Sequence, residues 1–166
     1  YQADYNGWDL TAGLRVDDHQ SFGSKTTGSI ASGLQLNNNF KLIASYGTAF
    51  KAPTLNDLYY DVPFSGKGDP NLKPEQSESV ELELRAEKVL FDNWALSAFQ
   101  TKISDLIVWE TDPITWFSTP RNINDADIDG ADLQVSHAVN ALQFNFAYTY
   151  LDSEDKTNKP VSYTHL

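Results

Sequence analysis

The chain has 166 residues, enough for one ordinary domain, and carries 23 acidic against 12 basic side chains for a formal charge of −11. That acidity excludes nucleic acid as a partner, because phosphate backbones select basic surfaces. There is no Cys to supply disulfides or thiolate metal sites, and no Met to mark a translation start.

The residues in order read as strands. Tyr1 to Tyr5 is the tail of one, and Asn6-Gly7 is a strong two-residue hairpin turn. Trp8, Leu10, Ala12, Leu14 and Val16 then alternate with Asp9, Thr11, Gly13, Arg15 and Asp17. His19 to Lys25 reads as a polar loop and Thr26 to Leu36 as a third strand, with Ile30, Leu34 and Leu36 on its apolar side. Asn37 to Asn39 turns the chain into Phe40 to Phe50, where Phe40, Leu42, Ala44, Tyr46, Thr48 and Phe50 share a face. About two dozen residues rich in Pro, Gly, Asp and Tyr follow, a length that compact domains use for functional loops.

From Gln76 the alternation resumes, Val80, Leu82, Leu84 and Ala86 opposing Ser79, Glu81, Glu83, Arg85 and Glu87. Phe91 to Asn93 reads as a turn, and Trp94 to Glu110 as one strand whose phase slips at a bulge. Thr111 to Arg121 is a second long loop. A strand within Asn122 to His137 places Ala131, Leu133 and Val135 opposite Gly130, Asp132, Gln134 and Ser136. After a short turn, Leu142, Phe144, Phe146, Tyr148 and Tyr150 face away from Gln143, Asn145 and Thr149, and from Asp152 the tail reads as polar loop.

This pattern predicts roughly eight strands, several near the ~10 residues that cross a bilayer at a tilt. No apolar run approaches the ~20 residues of a spanning helix, and no signal peptide is read. Mean hydropathy of −0.44 does not decide the matter, since a membrane strand shows lipid only alternate residues. Short turns at Asn6-Gly7, Asn37 to Asn39, Phe91 to Asn93 and Val139 to Ala141 alternate with longer loops after Asp17, Phe50, Glu110 and Asp152. Up-and-down pairing then gathers the short turns at one end and the loops at the other, as in membrane barrels. The other reading is a secreted β-sandwich, a binding or adhesion module with one apolar and one polar face per sheet.

Candidate chemistry is thin. Asp125, Asp127, Asp129 and Gly130 imitate an EF-hand opening, but Ser136 stands where a bidentate Glu is needed. Gly66-Lys67-Gly68 and Gly23-Ser24-Lys25-Thr26 fall short of phosphate loops. His19, His137 and His165 lack metal-ligand spacing, and Glu81 and Glu83 read as lumen-lining carboxylates countered by Arg85. No catalysis, metal or cofactor is expected. The aromatic group Tyr59, Tyr60, Phe64, Trp109, Trp116 and Phe117 is the informative one. Trp109 reads as part of an interfacial belt. Tyr59, Tyr60, Trp116 and Phe117, carried on the long loops, are the candidate ligand contacts, with a belt as the other reading.

The segments Tyr46-Gly47-Thr48-Ala49-Phe50-Lys51-Ala52-Pro53, Leu58-Tyr59-Tyr60 and Gly68-Asp69-Pro70-Asn71-Leu72-Lys73-Pro74-Glu75 with Ser77 resemble the barrel signature of TonB-dependent outer-membrane receptors. Asp69 departs from the usual Asn. Asn122, Ala126, Ile128, Gly130, Asp132 and Leu133 are similar to another strand signature of that family.

The resemblance covers nearly the whole chain but only part of a receptor. It implies an all-β, antiparallel transmembrane β-barrel, of which residues 1–166 are an interior slice of a barrel of about 22 strands around a plug. Plug, TonB box and closing strand are expected elsewhere. The implied function is active import across the outer membrane of a Gram-negative cell, driven through TonB, with outer-membrane lipid around the wall. Val16 to Gly23, Phe50 to Tyr60 and Ile103 to Ile107 are most similar to the cobalamin branch, while branches taking ferric catecholate siderophores share much of this.

Overall fold

The computed structural model describes residues 2–19, 23–123 and 125–155. Eight strands form one antiparallel sheet: β1 (Gln2–Tyr5), β2 (Trp8–His19), β3 (Gly23–Gln35), β4 (Phe40–Lys51), β7 (Glu75–Val89), β8 (Phe91–Ser104), β11 (Ala126–Val139) and β12 (Leu142–Asp155). Each pairs with its neighbour in that order, so the sheet is a meander whose edges are β1 and β12. Between them the long connections fold into a short helix α1 (Leu55–Tyr59) and a four-stranded sheet of β5 (Asp61–Val62), β6 (Gly66–Lys67), β9 (Ile107–Thr111) and β10 (Ser118–Asn122).

Local chemistry sets the short turns. Asn6 and Gly7 both take positive φ, 47° and 80°, as a tight hairpin turn with the right twist requires. The Asn37 side chain accepts from the Asn39 and Phe40 amides at 2.9 and 3.1 Å, replacing backbone partners in the next turn. The third turn is centred on Leu90 (φ 63°), one residue before the Phe91 to Asn93 segment expected.

Period two then decides the faces. Direct pairings run Leu34↔Leu42↔Leu84↔Leu96↔Leu133↔Tyr148, while the intervening row runs Gly33↔Ile43↔Glu83↔Ser97↔Asp132↔Thr149. Leu10, Leu14, Leu34, Leu42, Leu82, Leu84, Phe144 and Phe146 thus share one face, and Arg15, Lys41, Glu81, Glu83, Arg85 and Asn145 the other, as expected. In the middle of β7 burial is inverted relative to a soluble sheet. Val80 and Leu82 are 56% and 52% exposed, whereas Glu81 and Glu83 are half-buried. The polar face is therefore the inside of the curve. Lys41 reaches Asp9 at 2.6 Å across it, over Gly33, where a Cβ would come within 2.6 Å of Lys41 Cε. No second sheet packs on the leucines among the described residues, which removes the sandwich.

The apolar segment also slides along the sheet. It is centred on Ala12 in β2 (Trp8 to Val16) and on Phe146 in β12 (Leu142 to Tyr150). Yet Ala12 pairs through Ile30, Tyr46, Val80, Gln100 and Asp129 to Asp152, six residues beyond Phe146. One residue of slide per strand, at ~3.3 Å per residue and ~4.8 Å between strands, makes a tilt of roughly 35° against a flat apolar layer.

Four boundaries differ from the expectation. β2 runs to His19 and β3 starts at Gly23, so both strands extend into the loop expected after Asp17; residues 20–22 lie outside the described set. Trp94 to Glu110 is not one bulged strand. Asp105 (φ 54°) ends β8, and β9 joins the small sheet. The expected loop from Thr111 to Arg121 contains most of β10, and β12 continues past Asp152 to Asp155. At the ends of β2, β3 and β12 both faces are polar where the strand leaves the apolar band, so alternation vanishes while backbone pairing persists. The rest of the tail, with His165, lies outside the described residues.

Candidate functional site

All the long connections leave the same end of the sheet, and two of them, residues 52–74 and 105–125, fold against each other. Pro53, Leu58, Leu72, Pro74 and Pro120 are buried there, a small core assembled from both loops. Its polar centre is Glu75, 7% exposed, which takes Lys51 Nζ at 3.3 Å and the Ile107 amide at 3.0 Å. One carboxylate thereby joins the end of β4, the start of β7 and the start of β9. Asn122 does the same from the other side: it accepts from the Lys73 amide at 2.8 Å and donates to the Lys73 and Asp105 carbonyls at 3.0 and 2.6 Å. Backbone pairing completes the join, with β6 running parallel to β10 at Gly66↔Ser118 and the Ser118 amide donating to Ser65 O at 2.9 Å.

Helix α1 is one turn long and exists by virtue of its cap. Thr54 Oγ1 accepts from the Asp57 amide at 3.2 Å, and the Asp57 carboxylate accepts from the Thr54 amide at 2.8 Å, a reciprocal capping box. The other Asp57 oxygen accepts from Trp109 Nε1 at 2.8 Å. Burial works to raise the pKa of Asp57, but the hydrogen bonds from Thr54 and Trp109 and the charge of Lys51 outweigh it, so the carboxyl lies below its ordinary value. Asp112 is held below its ordinary value by the Thr115 and Ile114 amides at the tip of the β9–β10 hairpin. Gly68 crosses α1 so closely that a Cβ would meet Asp57 O at 2.7 Å, which accounts for the glycine that opens the second signature segment.

The four aromatic candidates separate into two kinds. Tyr59 and Trp116 are 62% and 75% exposed, Trp116 at the hairpin tip with φ 58°. Tyr60 and Phe117 are half-buried. Tyr60 stands edge-on to Trp109, ring centres 5.5 Å apart. Trp109 therefore belongs to the loop cluster and not to an interfacial belt, because the strand carrying it has left the large sheet. On the apolar face of the large sheet, at its turn end, Phe40 and Trp94 meet edge-to-face at 6.2 Å over Ala86, which is fully buried.

Two clefts flank the small sheet. On the face of Trp109 and Ser118, a cleft of about 270 Å³ is lined by Asn56, Tyr60, Ser65, Trp109 and Ser118. On the face of Glu110 and Thr119, one of about 590 Å³ includes Phe117 and the pair Arg121–Glu110 at 3.6 Å. No set of three or more potential metal ligands occurs among the described residues. Asp129 instead accepts from Gln100 at 2.8 Å within the large sheet.

A single sheet of long tilted strands, apolar outside and polar inside, with tight turns at one end and folded loops at the other, defines a segment of a transmembrane β-barrel wall. The chain belongs to the family of TonB dependent receptor-like β-barrels, which matches residues 1–165. It is 35% identical over 154 residues to the vitamin B12 transporter BtuB of Photobacterium profundum, covering 90% of this chain and 24% of that protein. It is 34% identical to that of Vibrio vulnificus, covering 89% and 23%. The siderophore receptor PirA of Pseudomonas aeruginosa superposes with a TM-score of 0.79 at 25% identity, over 90% of this chain and 29% of that one. The chain thus spans about a quarter of the length of the relatives it matches.

Proposed function

We propose that this chain forms wall and outer loops of an active importer in the outer membrane of a Gram-negative cell, taking up cobalamin with energy delivered through TonB. The observation that carries the ligand is the 35% identity to a vitamin B12 transporter along nine-tenths of the chain. On this reading residues 1–166 are part of a barrel domain, the plug and TonB-contacting segment are carried elsewhere in the receptor, and lipid covers the apolar face. The loop cluster contributes to the ligand vestibule, with Tyr59 and Trp116 offering exposed rings and Tyr60 and Phe117 half-buried ones.

A ferric siderophore is the second reading. It is favoured by the superposition on the siderophore receptor PirA.

Uptake of labelled cyanocobalamin and of a ferric catecholate, measured in cells that depend on the full-length receptor with and without TonB, separates the two. Cobalamin uptake that requires TonB is expected. Catecholate uptake alone rejects cobalamin, and uptake that survives loss of TonB rejects active transport. Deleting residues 57–68 in that receptor is expected to weaken ligand binding while the barrel still assembles.

A further inference from the structure

We propose that the cleft between the two long loops is a subsite for an uncharged hydrogen-bonding group of the ligand, such as a primary carboxamide, and that Asp57 is the residue positioning its wall. This deepens the cobalamin reading and rests on it.

Three observations converge. The lining is Asn56, Tyr60, Ser65, Trp109 and Ser118, a carboxamide, three hydroxyls and two ring faces, with no charged side chain. The Asn56 carboxamide and the Tyr60 hydroxyl make no hydrogen bond to other described residues, whereas the Ser118 hydroxyl is engaged by Thr111 at 2.8 Å. Two groups able both to donate and to accept are thus free to meet an amide, which does the same. At about 270 Å³ the cleft is smaller than the ~300–1,000 Å³ pockets that enclose a whole drug-sized ligand. It fits a group protruding from a larger molecule.

Charge then chooses between ligand classes. Residues 52–74 and 105–125 together hold seven carboxylates (Asp57, Asp61, Asp69, Asp105, Glu110, Asp112 and Asp125) against Lys67, Lys73 and Arg121. A ferric tris-catecholate carries three negative charges and would be brought against a net negative surface, which is unfavourable at close range. Cobalamin presents a ring of neutral carboxamides and meets no such penalty.

Asp57 does not line the cleft. Its carboxylate links the α1 cap to Trp109 Nε1, and Trp109 in turn abuts Tyr60, so one side chain sets the spacing of both rings.

The test measures cyanocobalamin affinity of the full-length receptor in detergent, with barrel assembly checked by heat-modifiable mobility. Asn56→Ala and Tyr60→Phe are each expected to weaken binding about three- to tenfold, the range of a lost neutral hydrogen bond. Asp57→Ala is expected to do likewise. Asp57→Asn, which keeps an acceptor for the indole, is expected to stay within about twofold of wild type by the same reasoning. Quenching of Trp109 emission by cyanocobalamin, isolated as the difference from Trp109→Phe, should persist in Asp57→Asn and fall in Asp57→Ala. Unchanged affinity in both Asn56→Ala and Tyr60→Phe overturns the subsite alone. Equal effects of Asp57→Ala and Asp57→Asn overturn the positioning role. A wild-type receptor that binds the iron(III) complex of 2,3-dihydroxybenzoate and not cyanocobalamin overturns both the subsite and the cobalamin reading.

Discussion

Glu75 is the residue on which the loop cluster turns. It is buried, it lies at the boundary of strand and loop, and it serves two partners from different parts of the chain. Lys51 is largely exposed, so the ion pair itself contributes little. The Ile107 amide is the more demanding partner, because a buried donor left without an acceptor costs about 1–3 kcal/mol. Glu75→Ala in the full-length receptor is expected to cost about that much, whereas Glu75→Gln, which retains an acceptor, costs less. Hydrogen exchange at Ile107 checks this, with protection lost in the first variant and kept in the second. Asp57 makes a pH prediction. Its folded pKa lies below the unfolded one, so its stabilisation is fully present above the ordinary carboxylate range and is lost as pH falls through the lowered value. Trp109 emission should therefore be flat from neutral pH down to that range and change only below it, and Asp57→Asn should remove the change.

Among the elements, β7 states the facing most clearly: Val80, Leu82 and Leu84 alternate with Ser79, Glu81, Glu83 and Arg85, and a slip of one residue would exchange the two sets. Leu82 lies inside the apolar band, beside Ala44 and Ala98. Leu82→Arg is expected to destabilise the receptor in vesicles by about 2–4 kcal/mol, the cost of a cation near the middle of the lipid face. Glu81→Gln on the polar face should leave urea unfolding nearly unchanged. Similar losses from the two substitutions would contradict the facing. The break between β8 and β9 belongs to this scale as well. Ile103, Leu106, Ile107 and Val108 look like a slipped phase in the sequence. In the structure Asp105 turns the chain out of the large sheet, and Asn122 holds its carbonyl.

At the scale of the whole molecule, the large sheet has two edges, at β1 and β12, and an uncovered apolar face. Unpaired edges and large apolar patches both promote association. Residues 1–166 expressed alone are expected to aggregate or to require detergent. Light scattering showing a monodisperse monomer in plain buffer, with cooperative melting, would contradict the barrel-wall reading. The slide of the apolar band along the sheet fits the same architecture, since strands that close a barrel must tilt and stagger.

The sequence by itself determined the large sheet: its eight strands, its faces, most of its short turns and the end from which the loops leave. These properties are local. Alternation assigns each residue to a face from its immediate neighbours, and Asn6-Gly7 or Asn37 settles a turn within a few residues. The signature segments were also legible, although their reason was not: Pro53, Leu72, Pro74 and Glu75 are there to fill and pin the loop core. Only the tertiary structure decided how the two long loops pair. Lys73 and Asn122 are 49 residues apart, Asp57 and Trp109 are 52, and strands of two and five residues carry no readable period. Trp109 leaves the expected belt for the same reason. Its place follows from a partner in another loop, and no pattern around residue 109 encodes that partner.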